Sequence, residues 1–197
     1  SAHAAVGRMN SASMATAITP ITKHEPITEQ LAAHAADLIS NQLAAHAANL
    51  LACELCPRKC GVNRLAGEKG VCGADATLRI ARAALHEWEE PCISVGAGSG
   101  AVFFSYCSLH CIYCQNHDIA QGAHGTDITV ERLTAIFQEL AAQGAANINL
   151  VTPTHYWPHI AAARDSLGEF DLPFVCNTSG YEHAETIRAY AKYVDVY

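Results

Sequence analysis

From residue 101 onward the apolar positions of the chain alternate between two periods. Short apolar runs at 101–106, 147–152 and 174–177 have the length and composition of strands. Residues 129–143 instead carry Leu133, Ile136, Phe137 and Leu140 at helical spacing, with Thr129 placed to cap and Gly144 to stop the helix. Residues 158–167 read as a second helix closed by Gly168, residues 183–193 as a third, and residues 194–197 as the opening of a fourth strand. Strands alternating with helices imply an α/β fold with right-handed crossovers and a parallel sheet, open or closed into a barrel. Such sheets carry their chemistry at the carboxyl ends of the strands. That edge holds a cysteine-rich loop after the first strand, Thr152-Pro-Thr-His155 after the second and Asn177-Thr-Ser-Gly180 after the third.

The pattern is weaker upstream. Residues 1–26 are low in complexity and residues 31–52 are an Ala/Leu-rich helix. That helix repeats one short phrase, 31–38 and 43–50, which sets His34 and His46 on a solvated face. Two copies do not make a solenoid. Residues 78–88 form a short mixed segment. Gly96-Ala-Gly-Ser-Gly100 precedes an apolar run instead of opening a helix, so it reads as a loop entering a strand and not as a phosphate-binding turn. Three regions follow: an N-terminal extension over 1–52, a cysteine-rich metal- or cluster-binding segment over 53–95, and an α/β unit over 96–197.

Composition narrows the classes. The 197 residues carry a formal charge of -7, which argues against a general nucleic-acid binder. No run of eighteen or more apolar residues marks a membrane helix. The sequence opens on Ser1 without a secretory pattern, and its Ser/Thr/Ala-rich start has only a faint likeness to a transit peptide.

Nine cysteines change the picture more than the charge does. Seven fall in two tight groups. One is Cys53-x2-Cys56-x3-Cys60 with Cys72 beyond it, and the other is Cys107-x3-Cys111-x2-Cys114. A disulfide framework spreads its cysteines to staple distant loops, whereas thiols two or three residues apart converge on one ion or cluster. The first group offers four thiolates, which suit structural zinc or a [4Fe–4S] cluster equally. Arg58, Lys59, Arg64 and Lys69 surround it, either offsetting thiolate charge or as a solvated basic loop. The second group offers three, enough for three irons of a cube, with the fourth iron left for a substrate or cofactor. A zinc ion completed by His110 or His117 is the competing arrangement. Cys92 and Cys176 stand alone and read as buried free thiols. Reduced thiols and labile clusters point to the cytoplasm or another reducing compartment.

Cys107-Ser-Leu-His-Cys111-Ile-Tyr-Cys114 resembles the CxxxCxxC signature of the radical S-adenosylmethionine (SAM) superfamily, and Tyr113-Cys114-Gln115-Asn116 resembles its glycyl-radical activating subgroup. The wider string is similar to uncharacterised homologues of the pyruvate formate-lyase activating enzyme. It comprises residues 55–64, 86–92, 147–155 and 177–181. The resemblance implies a (β/α)6 TIM-like barrel, here expected to run out after about four strands, with a [4Fe–4S] cluster near its top. It implies reductive cleavage of SAM to a 5′-deoxyadenosyl radical that abstracts a hydrogen atom. A flavodoxin- or ferredoxin-like one-electron donor and a glycyl-radical enzyme are the implied protein partners, with no nucleic acid and no membrane involved. Radical chemistry on a small molecule or another peptide is the alternative among enzymes. An iron–sulfur or zinc binding module without catalysis is the alternative outside them.

The same resemblance assigns cofactor contacts. Tyr113 would lie against the adenine, and Asn116 would be a further cofactor contact. A Gly-Gly-Glu segment that holds the SAM amino group is replaced here by Thr152-Pro-Thr154-His155, so the threonine hydroxyls, backbone carbonyls or His155 take its part; a packed strand-end histidine is the other reading of His155. Asn177 and Ser179 lie in a string resembling the Asp-Thr-Asn-Gly segment that lines the SAM site. Tyr106 occupies a position where that family commonly has glycine, which predicts a crowded turn before Cys107.

Overall fold

A computed structural model describes residues 46–197. Residues 1–26, His34 and most of the helix expected over 31–52 lie outside them. Of that helix only its end is seen, as the single turn α1 (Ala48–Leu51). His46 does not stand on a solvated face. Its ring lies against Tyr190 and Tyr193, and its Nε2 is 3.3 Å from a carboxylate oxygen of Asp165.

The chain builds an α/β unit on a five-stranded mixed sheet. Its strands are β1 (Arg79–His86), β2 (Ser99–Phe104), β3 (Thr126–Asp127), β4 (Ile148–Val151) and β5 (Phe174–Asn177), in the order β3-β1-β2-β4-β5. Strands β2, β4 and β5 are parallel, as the alternating pattern requires. Val196 adds a parallel bridge to Val175, where the sequence suggests a further strand. The other half departs from the expectation of an all-parallel sheet. The segment over 78–88 is a full strand, β1, and it runs antiparallel to both β2 and β3. A register shift between Ile80 and Arg82 breaks its alternation, and most of its residues are only half-buried. A bulged, half-exposed strand gives almost no period-2 signal.

Two helices cover one face of the sheet. Helix α3 (Val130–Ala142) starts where Thr129 Oγ1 accepts the Arg132 N–H, and Gly144 leaves it at φ +87°. Its buried stripe of Leu133, Ile136, Phe137 and Leu140 faces the row Val102, Phe104, Ile148, Leu150, Phe174 and Cys176. Phe137 meets Phe174 edge-on at 5.1 Å. Helix α4 (Trp157–Ser166) is buried from Trp157 to Ala163 and follows a 3-10 turn, Thr154–Tyr156. Helix α5 (Ala184–Tyr190) is shorter than expected because its last turn tightens to a 3-10 turn, Ala191–Tyr193. Trp157 stacks on Tyr190 at 5.4 Å and so joins α4 to α5. No helix among the described residues is long and apolar enough to cross a membrane.

Trp157 is fully buried and is the largest such side chain. Replacing it with alanine is expected to remove about 3–5 kcal/mol of unfolding free energy in urea titration. A loss below about 1 kcal/mol would mean that the α4–α5 contact is dispensable.

Candidate metal and cofactor site

Ser105 and Tyr106 lead from β2 into the triple-cysteine loop. Ser105 is fully buried; its N–H donates to the Arg79 carbonyl at 3.0 Å and its hydroxyl to the His124 carbonyl at 2.8 Å. Tyr106 then turns the chain at φ +71°, and its N–H donates to the Ile119 carbonyl at 2.8 Å. The crowding expected at Tyr106 is met by two glycines. A Cβ on Gly122 would overlap the tyrosine ring, and one on Gly73 would stand 3.1 Å from it. Beyond Cys107 the loop turns at His110 (φ +52°), whose Nδ1 is 2.8 Å from the Gln121 amide nitrogen. Two successive turns, Cys111 to Cys114 and Cys114 to His117, carry it into the one-turn helix α2 (His117–Ala120).

Phe103, Tyr106, Cys107, Cys114, Asn116, Ile119, Val151 and Thr152 are among the residues that line a cavity of about 70 Å³ at the carboxyl ends of β2 and β4. Cys107, Cys114, Asn116 and Thr152 therefore meet, as the sequence suggests. Cys111 is half-buried but does not line this cavity. Tyr113 is 87 % exposed and points away from any wall, as does Ile112. Asn177, at the end of β5, and Ser179, just beyond it, are exposed, and the Asn177 carbonyl accepts the Thr152 N–H at 2.9 Å. Thr154 is buried and donates its hydroxyl to Glu182.

His155 does not line the cavity. It is buried, and its ring Nε2 donates to the Ser105 carbonyl at 2.7 Å. Burial lowers its pKa to about 3, against the opposing pull of the Ser105 bond. His159 is held the same way, with Nε2 on the Ala76 carbonyl at 2.8 Å and a pKa lowered by burial to about 4. The geometry is that of the packed strand-end histidine.

The first cysteine group folds as two linked turns. The Cys53 N–H donates to the Val62 carbonyl at 3.1 Å and the Gly61 N–H returns to the Cys53 carbonyl at 2.9 Å. The Val71 N–H points at the Cys60 sulfur at 3.3 Å. A Cβ on Gly70 would come within 3.0 Å of the same sulfur. Burial raises the pKa of Cys56 and of Cys72, and the charges of Cys53 and Cys60 push both the same way. The four thiols lie close enough for their charges to interact. Among the described residues no set of three or more His, Cys, Asp or Glu side chains already stands in ligating geometry.

Two residues of the basic cluster are not a solvated loop. Arg64 is 1 % exposed; its guanidinium donates to the Asp75 carbonyl through Nε at 2.9 Å and through Nη2, and to the His155 carbonyl through Nη1. Arg58 donates Nε to the Ser108 carbonyl at 3.2 Å and lies over the Tyr181 ring at 5.5 Å. Asp75 lies 11 positions from Arg64 and the other partners lie 50 to 123 positions away, and the carbonyl acceptors carry no residue signature that would reveal them. Cys176 is buried, as expected, with its thiol pushed up to about 12 chiefly by desolvation, but Cys92 is exposed in the β1–β2 connection. Four non-glycine residues among those described adopt positive φ: Lys59, Tyr106, His110 and Thr152. All four sit in the two thiol loops or on the cavity wall. Backbone strain of this kind persists where surrounding contacts enforce it, and it concentrates at functional sites.

The buried histidines set an acid limit on the fold. An unfolded histidine takes up a proton below about pH 6.5, while folded His155 stays neutral to about 3. Stability from the neutral ring is therefore complete above about pH 6.5 and falls as the pH drops toward 3. His155→Asn keeps an N–H for the Ser105 carbonyl and removes the titration. Between about pH 6.5 and about pH 5 the wild type should lose about 2 kcal/mol more unfolding free energy than this variant. Equal losses would mean that the ring is solvated.

No protein-family model matches the chain. No solved structure matches it. An uncharacterized protein of Methanocaldococcus jannaschii is 30 % identical over 155 residues, covering 74 % of this chain. The chain spans 44 % of that relative's length.

Proposed function

We propose a radical SAM enzyme in which Cys107, Cys111 and Cys114 hold a [4Fe–4S] cluster through three irons and leave the fourth for SAM. The observation that carries this reading is the meeting of Cys107 and Cys114 with Asn116 and Thr152 around one cavity, at the strand edge where parallel sheets bind ligands. The three-thiol set fits a cube better than a closed zinc site, since His110 is paired with Gln121 and the His117 ring with Asp118. The chemistry that cluster and cofactor supply is one-electron cleavage of SAM to methionine and a 5′-deoxyadenosyl radical, which abstracts a hydrogen atom. In the proposed barrel, β2, β4, β5 and the bridge at Val196 form the first part of a (β/α)6 sheet.

The chain's own residues position and shield. Phe103, Tyr106 and Ile119 give the cavity an apolar wall beside Cys107 and Cys114. Asn116 and Thr152, which line the cavity, would offer polar groups to the amino and carboxylate ends of the cofactor. The cavity is small beside a nucleoside, so the exposed Tyr113 would be available to stack on adenine outside it, and Asn177 and Ser179 would be further contacts for the cofactor. His155 is a positioning residue, since its ring is committed to Ser105. The first cysteine group holds zinc or a second cluster. The reaction needs a flavodoxin- or ferredoxin-like electron donor in a reducing compartment such as the cytoplasm. A glycyl-radical enzyme is the proposed hydrogen donor.

Iron, sulfide and zinc per chain after anaerobic reconstitution test the assignment, beside the Cys107/Cys111/Cys114 triple alanine variant. About eight irons falling to about four supports two clusters, and about four irons plus about one zinc, with only the iron lost, supports zinc at the first group. With dithionite and SAM the clustered protein should release 5′-deoxyadenosine, and Cys111→Ala should abolish it. Fully clustered protein that releases none is a binding module and not an enzyme. Zinc without iron sinks the radical reading outright.

A further inference from the structure

The cysteine-rich segment reaches the triple-cysteine loop at three points around Cys107. Arg58, between Cys56 and Cys60, holds the Ser108 carbonyl on one side of Cys107. On the other side, Arg64 holds the His155 carbonyl, and the His155 ring holds the Ser105 carbonyl. Between them, Gly73, next to Cys72, leaves room for the Tyr106 ring. Residues 105, 106 and 108 are thus each fixed, directly or through His155, by the turns that carry the four thiols.

Arg64 adds a charge argument. A buried guanidinium is costly unless compensated, and its hydrogen bonds here all run to carbonyl oxygens. A metal–tetrathiolate centre carries net negative charge, which would add to that of the nearby Asp75 carboxylate in offsetting Arg64.

We infer that the Cys53/Cys56/Cys60/Cys72 centre is a latch for the triple-cysteine loop: closing it on a metal ion fixes Arg58 and Arg64, and these two residues hold the backbone on both sides of Cys107. Arg58 and Arg64 are positioning residues in this arrangement and touch no metal. The inference rests on metal binding by the first group, and it is independent of whether the second group holds iron.

The Cys111→Ala/Cys114→Ala double variant of the full chain leaves the second loop unable to hold a metal and keeps Cys107 as a reporter thiol. Zinc ion alone is the probe. Iodoacetamide labelling of Cys107 is followed by peptide mass spectrometry with and without one equivalent of zinc. Zinc is expected to bind at about one per chain and to slow Cys107 labelling by about three- to tenfold, the scale of one or two hydrogen bonds. Adding Arg58→Ala should leave zinc stoichiometry at about one per chain and restore fast labelling. Arg64→Lys, which keeps the charge but not the forked geometry, should restore it in part. Because Arg58 is not a core residue, its variant stays informative if the Arg64 variant folds poorly. Bound zinc with unchanged Cys107 labelling would overturn the latch, as would slowing that survives Arg58→Ala. Failure of zinc to bind at all would overturn its premise. Failure of the iron chemistry alone would leave the labelling result unaffected.

Discussion

A buried arginine is the constraint on which the rest of this structure depends. Arg64 brings a full charge into a region 1 % exposed, and its bonds run to carbonyls from two separate parts of the chain. An unsatisfied donor there would cost the full desolvation of the group. The Asp75 and His155 carbonyls are therefore locked to the segment between Cys60 and Cys72. The lock begins locally. Asn63 accepts the Ala66 N–H and Glu68 accepts the Asn63 N–H at 2.7 Å, which fixes the 3-10 turn from which Arg64 projects. A region with few regular elements is thereby joined to the sheet at the strand edge where the cavity opens.

The same tie explains why strained backbone is tolerated in this part of the molecule. Tyr106 would adopt its left-handed turn far more easily as glycine. Its ring instead fills the space left by Gly73 and Gly122, and its N–H is held by Ile119. The strain at Tyr106 and Thr152, of order 1–3 kcal/mol each, is borne by contacts that come from the cysteine-rich segment, α2 and β5. A loop held in this way presents Cys107 and Cys114 to one wall without needing regular structure of its own.

How much of this could be read in the sequence follows from the range of each interaction. Helix α3 was legible to its caps because Thr129, the apolar stripe and Gly144 act within a few residues of one another. The three parallel strands were legible because continuous apolar runs between helices have few other outcomes. Strand β1 was not, since its bulge and half-exposure erase the alternation. Strand-end logic set the triple-cysteine loop and Thr152 on one sheet edge, whereas Asn116 was suggested only by the family resemblance. The commitment of His155 to Ser105 was not legible, although a packed histidine was one of its two readings. Arg64 and Arg58 carried no signal, because their carbonyl partners place no demand on residue type at positions 155 and 108.

That last point bears on what selects residues in the cysteine-rich segment. A carbonyl acceptor can be supplied by any residue, so the specificity of both contacts lies in the donor and in the turn that aims it. Arginine suits this because its planar fork spans two acceptors at once, as Arg64 does between Asp75 and His155. Glycine suits the facing positions because side chains at Gly70, Gly73 and Gly122 would press on the Cys60 sulfur or the Tyr106 ring. The segment is thus shaped on one side by its thiols and on the other by the loop it supports. Its fold and the geometry of the second cysteine group are one problem in packing.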